Sequence, residues 1–169
     1  RTIKAIPLKI PIESSKKRER SSQPSLFFQD QFPIPNHLVV RGEVFITHEE
    51  FNRLNERQEE AGAKTYLNPR NTAAGALRQL DSRVTATRPL TLFIYQIVHA
   101  EGGEVPNSQW ERLEYLKELG FPVNPDSRHF KRLDETIQFV EGWEDDRLQL
   151  PYEADGIVIK INDRILSDS

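Results

Sequence analysis

The chain has 169 residues, 37% of them hydrophobic and 29% charged, with a formal net charge of −3, a balance that suits one soluble globular domain able to bury a real core. No stretch approaches the ~18 apolar residues of a membrane span, and the absence of cysteine excludes disulfides and thiolate metal sites within the chain. The charge is uneven: residues 1–100 carry 15 Lys+Arg against 10 Asp+Glu, and residues 101–169 carry 8 against 16, which fits either one anion-facing side or a late clustering of acidic helices.

The opening R-T-I-K-A-I-P-L-K-I begins on Arg1 in a chain without Met, so we expect a piece of a longer polypeptide, and nothing in it resembles a signal peptide. Its alternation predicts a strand, with Pro7 making part of it an edge or a bend. Residues 11–36 lose periodicity and are punctuated by Pro24, Pro33 and Pro35. They predict a long loop, mobile around residues 13–25. Lys16-Lys17-Arg18 within it could touch nucleic acid or simply be solvated.

The run L-V-V-R-G-E-V-F-I (38–46) predicts a strand by its β-branched content. Alternation puts Arg41 and Glu43 on one face with Val39 and Phe45. Glu43 there could accept from ribose hydroxyls, hold a divalent cation, or pair with Arg41. Thr47 caps the helix that follows, with Glu50 as capping-box partner, and Gly62 stops it after about Ala61.

The segment N-P-R-N-T-A-A-G-A-L-R-Q-L-D-S-R (68–83) frames four small residues, Ala73 to Ala76, with Arg70 and Arg78. Asn68 is placed to cap a helix and Pro69 to open it. If the helix runs through Arg78, the two arginines lie about 80° apart around its axis and roughly 12 Å along it. Both could then face one extended polyanion, and Arg suits bidentate phosphate contact. The small residues admit either a close sugar–phosphate chain or tight packing against a sheet. Such contacts position DNA rather than read its sequence.

T-L-F-I-Y-Q-I-V (91–98) predicts a central apolar strand with Phe93, Tyr95 and Ile97 on one face, Tyr95 either packed in the core or stacking on a base. S-Q-W-E (108–111) is a second capping box opening a helix closed by Gly120, with Pro122 just beyond. A further helix is expected over about 134–146. D-G-I-V-I-K-I (155–161) predicts a last strand, with Asp155, Ile157, Ile159 and Ile161 facing the core and Val158 and Lys160 on the other face. That second face would offer an apolar platform beside a cation, suited to a nucleotide, although a solvated lysine gives the same pattern. Strands mixed with helices, without strict βαβ alternation, make the fold class α+β.

R-G-E-V-F (41–45), N-P-R-N-T-A-A-G-A-L-R-Q-L-D (68–81), F-I-Y (93–95) and D-G-I-V-I-K (155–160), in this order and spacing, together resemble the adenylation domain of the bacterial NAD⁺-dependent DNA ligases. The resemblance covers Arg1 to about Asp163, the loop excepted. It implies a partial nucleotidyltransferase fold, antiparallel sheets flanked by helices, in an enzyme that seals nicks in double-stranded DNA through lysyl-AMP and DNA-adenylate intermediates. It implies NAD⁺ and Mg²⁺ as cofactors, with Zn²⁺ only in a zinc-finger region outside this chain. The implied setting is a monomer in the bacterial cytoplasm, on nucleoid DNA, with no membrane partner.

By the same resemblance, Glu43 contacts the AMP ribose, Tyr95 stacks on adenine, Val158 lies against the base with Asp155 in its motif, and Lys160 meets the AMP phosphate. Arg70 and Arg78 match arginines that engage nicked DNA. The family's nucleophilic K-x-D-G does not occur in the chain; the nearest tetrapeptide, Glu153-Ala154-Asp155-Gly156, belongs to the later motif. The nucleophile is therefore expected before Arg1, and a final lysine motif after Ser169. Gln96 stands where the family commonly has Gly. ATP-dependent ligases, capping enzymes and a non-catalytic nucleic-acid-binding module share enough of this pattern to be the alternatives.

Overall fold

The computed structural model describes residues 2–7, 10 and 32–167, and side-chain caps set most of its helix boundaries. Strand β1 (His37–Phe45) runs into helix α1 (His48–Glu60). Thr47 Oγ1 accepts from the Glu50 N–H at 3.3 Å, satisfying one of the free donors of the first turn. Glu50 itself accepts from Arg53 at 3.0 Å rather than returning to Thr47. After Ala61, Gly62 takes φ +65° and ends the helix, as expected of a C′ glycine.

Helix α2 (Pro69–Leu77) starts with Asn68 Oδ1 accepting from Asn71 N–H at 2.9 Å and Pro69 in its first turn. Helix α3 (Ser82–Ala86) is capped by Asp81, whose carboxylate accepts from Arg83. The Arg83 side chain, and then its N–H, hold the Asp81 carboxyl below the usual carboxylate range. Strand β2 (Thr91–Glu101) pairs with β1 in a two-stranded antiparallel sheet. Helices α4 (Gln109–Glu118), α5 (Leu133–Arg147) and α6 (Arg164–Ser167) complete the order. Ser108 caps α4 by accepting from Glu111 N–H at 3.2 Å, and Gly120 (φ +83°) follows its end.

The chain divides into two units. The first comprises Arg1–Ala5, Val44–Leu92 and Asp126–Ile159. Its core is Ile46, Ala73, Ala76 and Leu90, with Ile3, Val44 and Phe51 packed against them. Ala73 and Ala76 thus seat α2, and Thr85 Oγ1 donates to the Ala76 carbonyl at 2.9 Å, tying α3 to it. The second unit comprises Ile6–Glu43, Phe93–Pro125 and Lys160–Ser169 and holds most of the sheet. Ile94, Ile97, Tyr115, Leu116, Leu119 and Val123 are its buried apolar residues. A Cβ at Gly42 would lie 2.5 Å from the Phe93 carbonyl oxygen and 2.7 Å from Ile94 Cδ1, so only glycine lets the strands approach there.

Two expectations need correction, and a third falls largely outside the described residues. Residues 2–7 form no strand: Lys4 and Ala5 make a turn and Ile6 a bend, because Pro7 lacks a ladder donor and restricts its predecessor. Of the expected 11–36 loop, 11–31 lie outside the described residues, as does Lys16-Lys17-Arg18; 32–36 are irregular. The expected last strand, 155–161, has no ladder. Its neighbour Asp163 makes only an isolated antiparallel bridge with Ser108. Among the described residues it joins no ladder, and a strand is not stable without a paired neighbour. Its isoleucines do not face a core: Ile159 and Ile161 are 61% and 59% exposed, while Ile157 is half-buried. Ile157 and Ile159 instead line an apolar groove with Val140 and Trp143 of α5.

Candidate functional site

In the second unit, Glu43 lies on β1, Tyr95 on β2, and Lys160 on the irregular segment that follows α5. The Lys160 ammonium sits 4.8 Å from the centre of the Tyr95 ring, a cation–π contact. Tyr95 is 37% exposed, so of its two sequence readings the core position is not the one it takes. Its strand neighbour Ile97 is 4% exposed, so the face expected to hold Phe93, Tyr95 and Ile97 is not uniformly open. Gln109 Nε2 donates to the Tyr95 carbonyl at 3.0 Å, anchoring the backbone beneath the ring to the start of α4.

Glu43 is exposed, and among the described residues its side chain makes no hydrogen bond or ion pair. Arg41 does not pair with it: Arg41 Nη1 donates to Gln96 Oε1 at 3.4 Å. Gln96 thus holds the neighbouring guanidinium and leaves the Glu43 carboxylate open. A carboxylate, an exposed aromatic ring and an ammonium are the chemistry that ribose hydroxyls, a base and a phosphate respectively require.

In the first unit, Arg70 is the second residue of α2 and Arg78 its C-cap (φ −86°, ψ 0°). Both are exposed. Arg70 Nη1 forms an ion pair with Asp155, whose side chain remains 77% exposed. Arg78 makes no side-chain hydrogen bond among the described residues, and a guanidinium at a helix C-terminus is favoured by the helix dipole. Val158 is 78% exposed, presenting an apolar surface to solvent. Arg88 lies over the Tyr66 ring at 4.9 Å, and Asn55 clamps Tyr66 through both its amide atoms, at 2.9 and 2.7 Å. Arg88 is therefore committed to packing, and Arg83 to Asp81.

Apart from the cation option left open for Glu43, no metal ligand was expected in the chain. Among the described residues, one group could hold an ion: His37, His99 and Glu101, at facing ends of β1 and β2. The signal was present in the alternation, because His99 and Glu101 share a strand face. Their partner His37 becomes visible only once the strand register is known.

The chain matches, over residues 1–169, the family described as NAD-dependent DNA ligase adenylation domain. A "DNA ligase" of Pelotomaculum thermopropionicum is 50% identical over 139 residues, covering 77% of this chain and 20% of that protein. One of Carboxydothermus hydrogenoformans is 45% identical over 162 residues, 96% of this chain and 21% of that protein. One of Chloroflexus aurantiacus is 44% identical over 165 residues, 96% and 22%. The chain thus spans about a fifth of the length of these relatives. With a match along its whole length and the R-G-E-V-F, N-P-R-N and D-G-I-V-I-K stretches in place, the chain belongs to the adenylation-domain family of the NAD-dependent DNA ligases.

Proposed function

We propose that the intact protein seals nicks in double-stranded DNA with NAD⁺ as adenylate donor, and that this chain, a partial nucleotidyltransferase fold, supplies part of the nucleotide pocket and of the DNA surface. In this scheme a lysine outside these 169 residues attacks the NAD⁺ α-phosphate. The bond to nicotinamide mononucleotide breaks and lysyl-AMP forms. AMP passes to the 5′-phosphate at the nick, and the 3′-hydroxyl displaces it to join the strand. Each step is a displacement at an anionic phosphorus, so positioning and charge neutralisation carry the catalysis.

The observation that carries this reading is the Lys160 ammonium held 4.8 Å from the exposed Tyr95 ring. Lys160 meets the AMP phosphate, Tyr95 the adenine, and Glu43 the ribose hydroxyls. With nucleotide bound, the ammonium shifts from the ring to the phosphate. Val158 offers apolar contact to the base. Mg²⁺ enters with the substrate phosphates, since it keeps much of its water and needs no dedicated protein cage. Arg70 and Arg78 grip the nicked backbone. The Arg70–Asp155 pair is a surface ion pair worth little, so a phosphate can take the place of Asp155 at small cost.

The test is covalent AMP, read by intact mass, on the full protein given NAD⁺ and Mg²⁺. Lys160→Ala and Tyr95→Ala should each slow its formation by ~100-fold, with folding confirmed by circular dichroism. Wild-type rates in both variants would remove them from the pocket. The isolated 169-residue chain should acquire no AMP at all; a covalent adduct on it would contradict a nucleophile outside it.

A further inference from the structure

We propose that His37, His99 and Glu101 form a binding site for a divalent transition metal of the zinc type, separate from the nucleotide residues and independent of the ligase reading. The two histidines and the carboxylate lie at the ends of β1 and β2 in the second unit, with one ligand atom of each within 4.8 Å of the others. His37 Nδ1 is 3.9 Å from Glu101 Oε2, and the two imidazole rings meet edge-on with centroids 6.2 Å apart. Two neutral imidazoles and one carboxylate are a donor set that suits zinc or copper rather than Mg²⁺ or Ca²⁺.

The geometry needs little change. Ligand atoms around a tetrahedral zinc stand about 3.3 Å apart. All three side chains are exposed, so small rotations of χ angles draw them in without disturbing a core. The backbone beneath them is fixed. Gly102 follows Glu101 with φ +75°, and a Cβ there would overlap the Asn36 side chain. A Cβ at Gly103 would stand 2.9 Å from the Pro33 carbonyl oxygen and 3.1 Å from Pro35 Cα. These glycines let the chain after Glu101 lie directly against the residues that lead into His37. The carboxylate and His37 are thereby held at one end of the sheet, with His99 two residues back along the same face of β2. Three protein ligands leave a fourth position for water, so the site is open rather than closed.

The test is Zn²⁺ titration of the intact protein by calorimetry after chelator treatment, comparing wild type with His99→Gln and with the His37→Gln/His99→Gln pair. Wild type should bind one Zn²⁺ more than the double variant. His99→Gln alone should weaken that equivalent by ~10-fold or more. Glu101→Gln should weaken it similarly, and unchanged melting temperatures without metal would show that all variants fold. Cu²⁺ in place of Zn²⁺ should give an electron paramagnetic resonance spectrum with splitting from two nitrogens, absent in the double variant. Equal Zn²⁺ stoichiometry and affinity in wild type and double variant would overturn the site.

Discussion

Arg70 and Arg78 bracket α2, yet the structure gives them different surroundings. Arg70 is engaged by Asp155, whereas Arg78 caps the helix with its side chain toward solvent. If Arg78 contacts the nicked backbone, Arg78→Ala should lower nick sealing by ~10-fold or more while leaving lysyl-AMP formation from NAD⁺ unchanged. Equal loss in both steps, measured on the intact protein, would return the residue to a structural role. Tyr115 is fully buried, and among the described residues its hydroxyl has no hydrogen-bond partner. Tyr115→Phe should therefore stabilise the fold, by about 1 kcal/mol, measured by urea unfolding. Burial, and secondarily the Glu118 carboxylate, push the Tyr115 phenol above its ordinary value of 10.0. The unfolded chain then ionises first as the pH rises. The stability from the neutral phenol is complete below pH ~10 and falls above it. The phenylalanine variant should lack that alkaline fall.

At the scale of elements, caps were the most legible feature. Thr47, Asn68 and Ser108 each accept from the N–H three residues on, and Gly62 and Gly120 adopt the positive φ that ends a helix, because these are local interactions fully encoded in a few residues. Helix α3 was missed although Asp81 signalled it, its five residues being too short for a periodic pattern. The strand expected over 155–161 failed for the opposite reason. Alternation reports which residues would share a face, not whether a neighbouring strand exists to pair with them. For Tyr95 the sequence left core and stacking both open, and partial exposure with Lys160 over the ring decides against the core. Gly42 carries the tightest strand contact. Gly42→Ala should cost about 1–3 kcal/mol as a lowered urea midpoint, since the Phe93 carbonyl that it would strike is backbone and cannot rotate away. A variant as stable as wild type would mean the strands are not that close.

At the scale of the whole molecule, the charge asymmetry resolves only in part. Much of the acidic excess is helical, Glu111, Glu114 and Glu118 on α4 and six acids on α5, as a late clustering of acidic helices would have it. Among the arginines of residues 70–88, Arg83 and Arg88 are taken up locally by Asp81 and Tyr66. Of the two arginines proposed to meet the nicked backbone, Arg70 pairs with Asp155, and Arg78 makes no side-chain hydrogen bond among the described residues. Family membership rests on the whole length of the chain, while nick sealing is what we propose for the intact protein, the chain spanning about a fifth of the length of its relatives. The most direct measurement of the central claim is strand joining by the intact protein on a nicked duplex with Mg²⁺, supplied with NAD⁺ or with ATP. Joined strand with NAD⁺ and none with ATP is the predicted result; joining with ATP alone, or with neither, would contradict it.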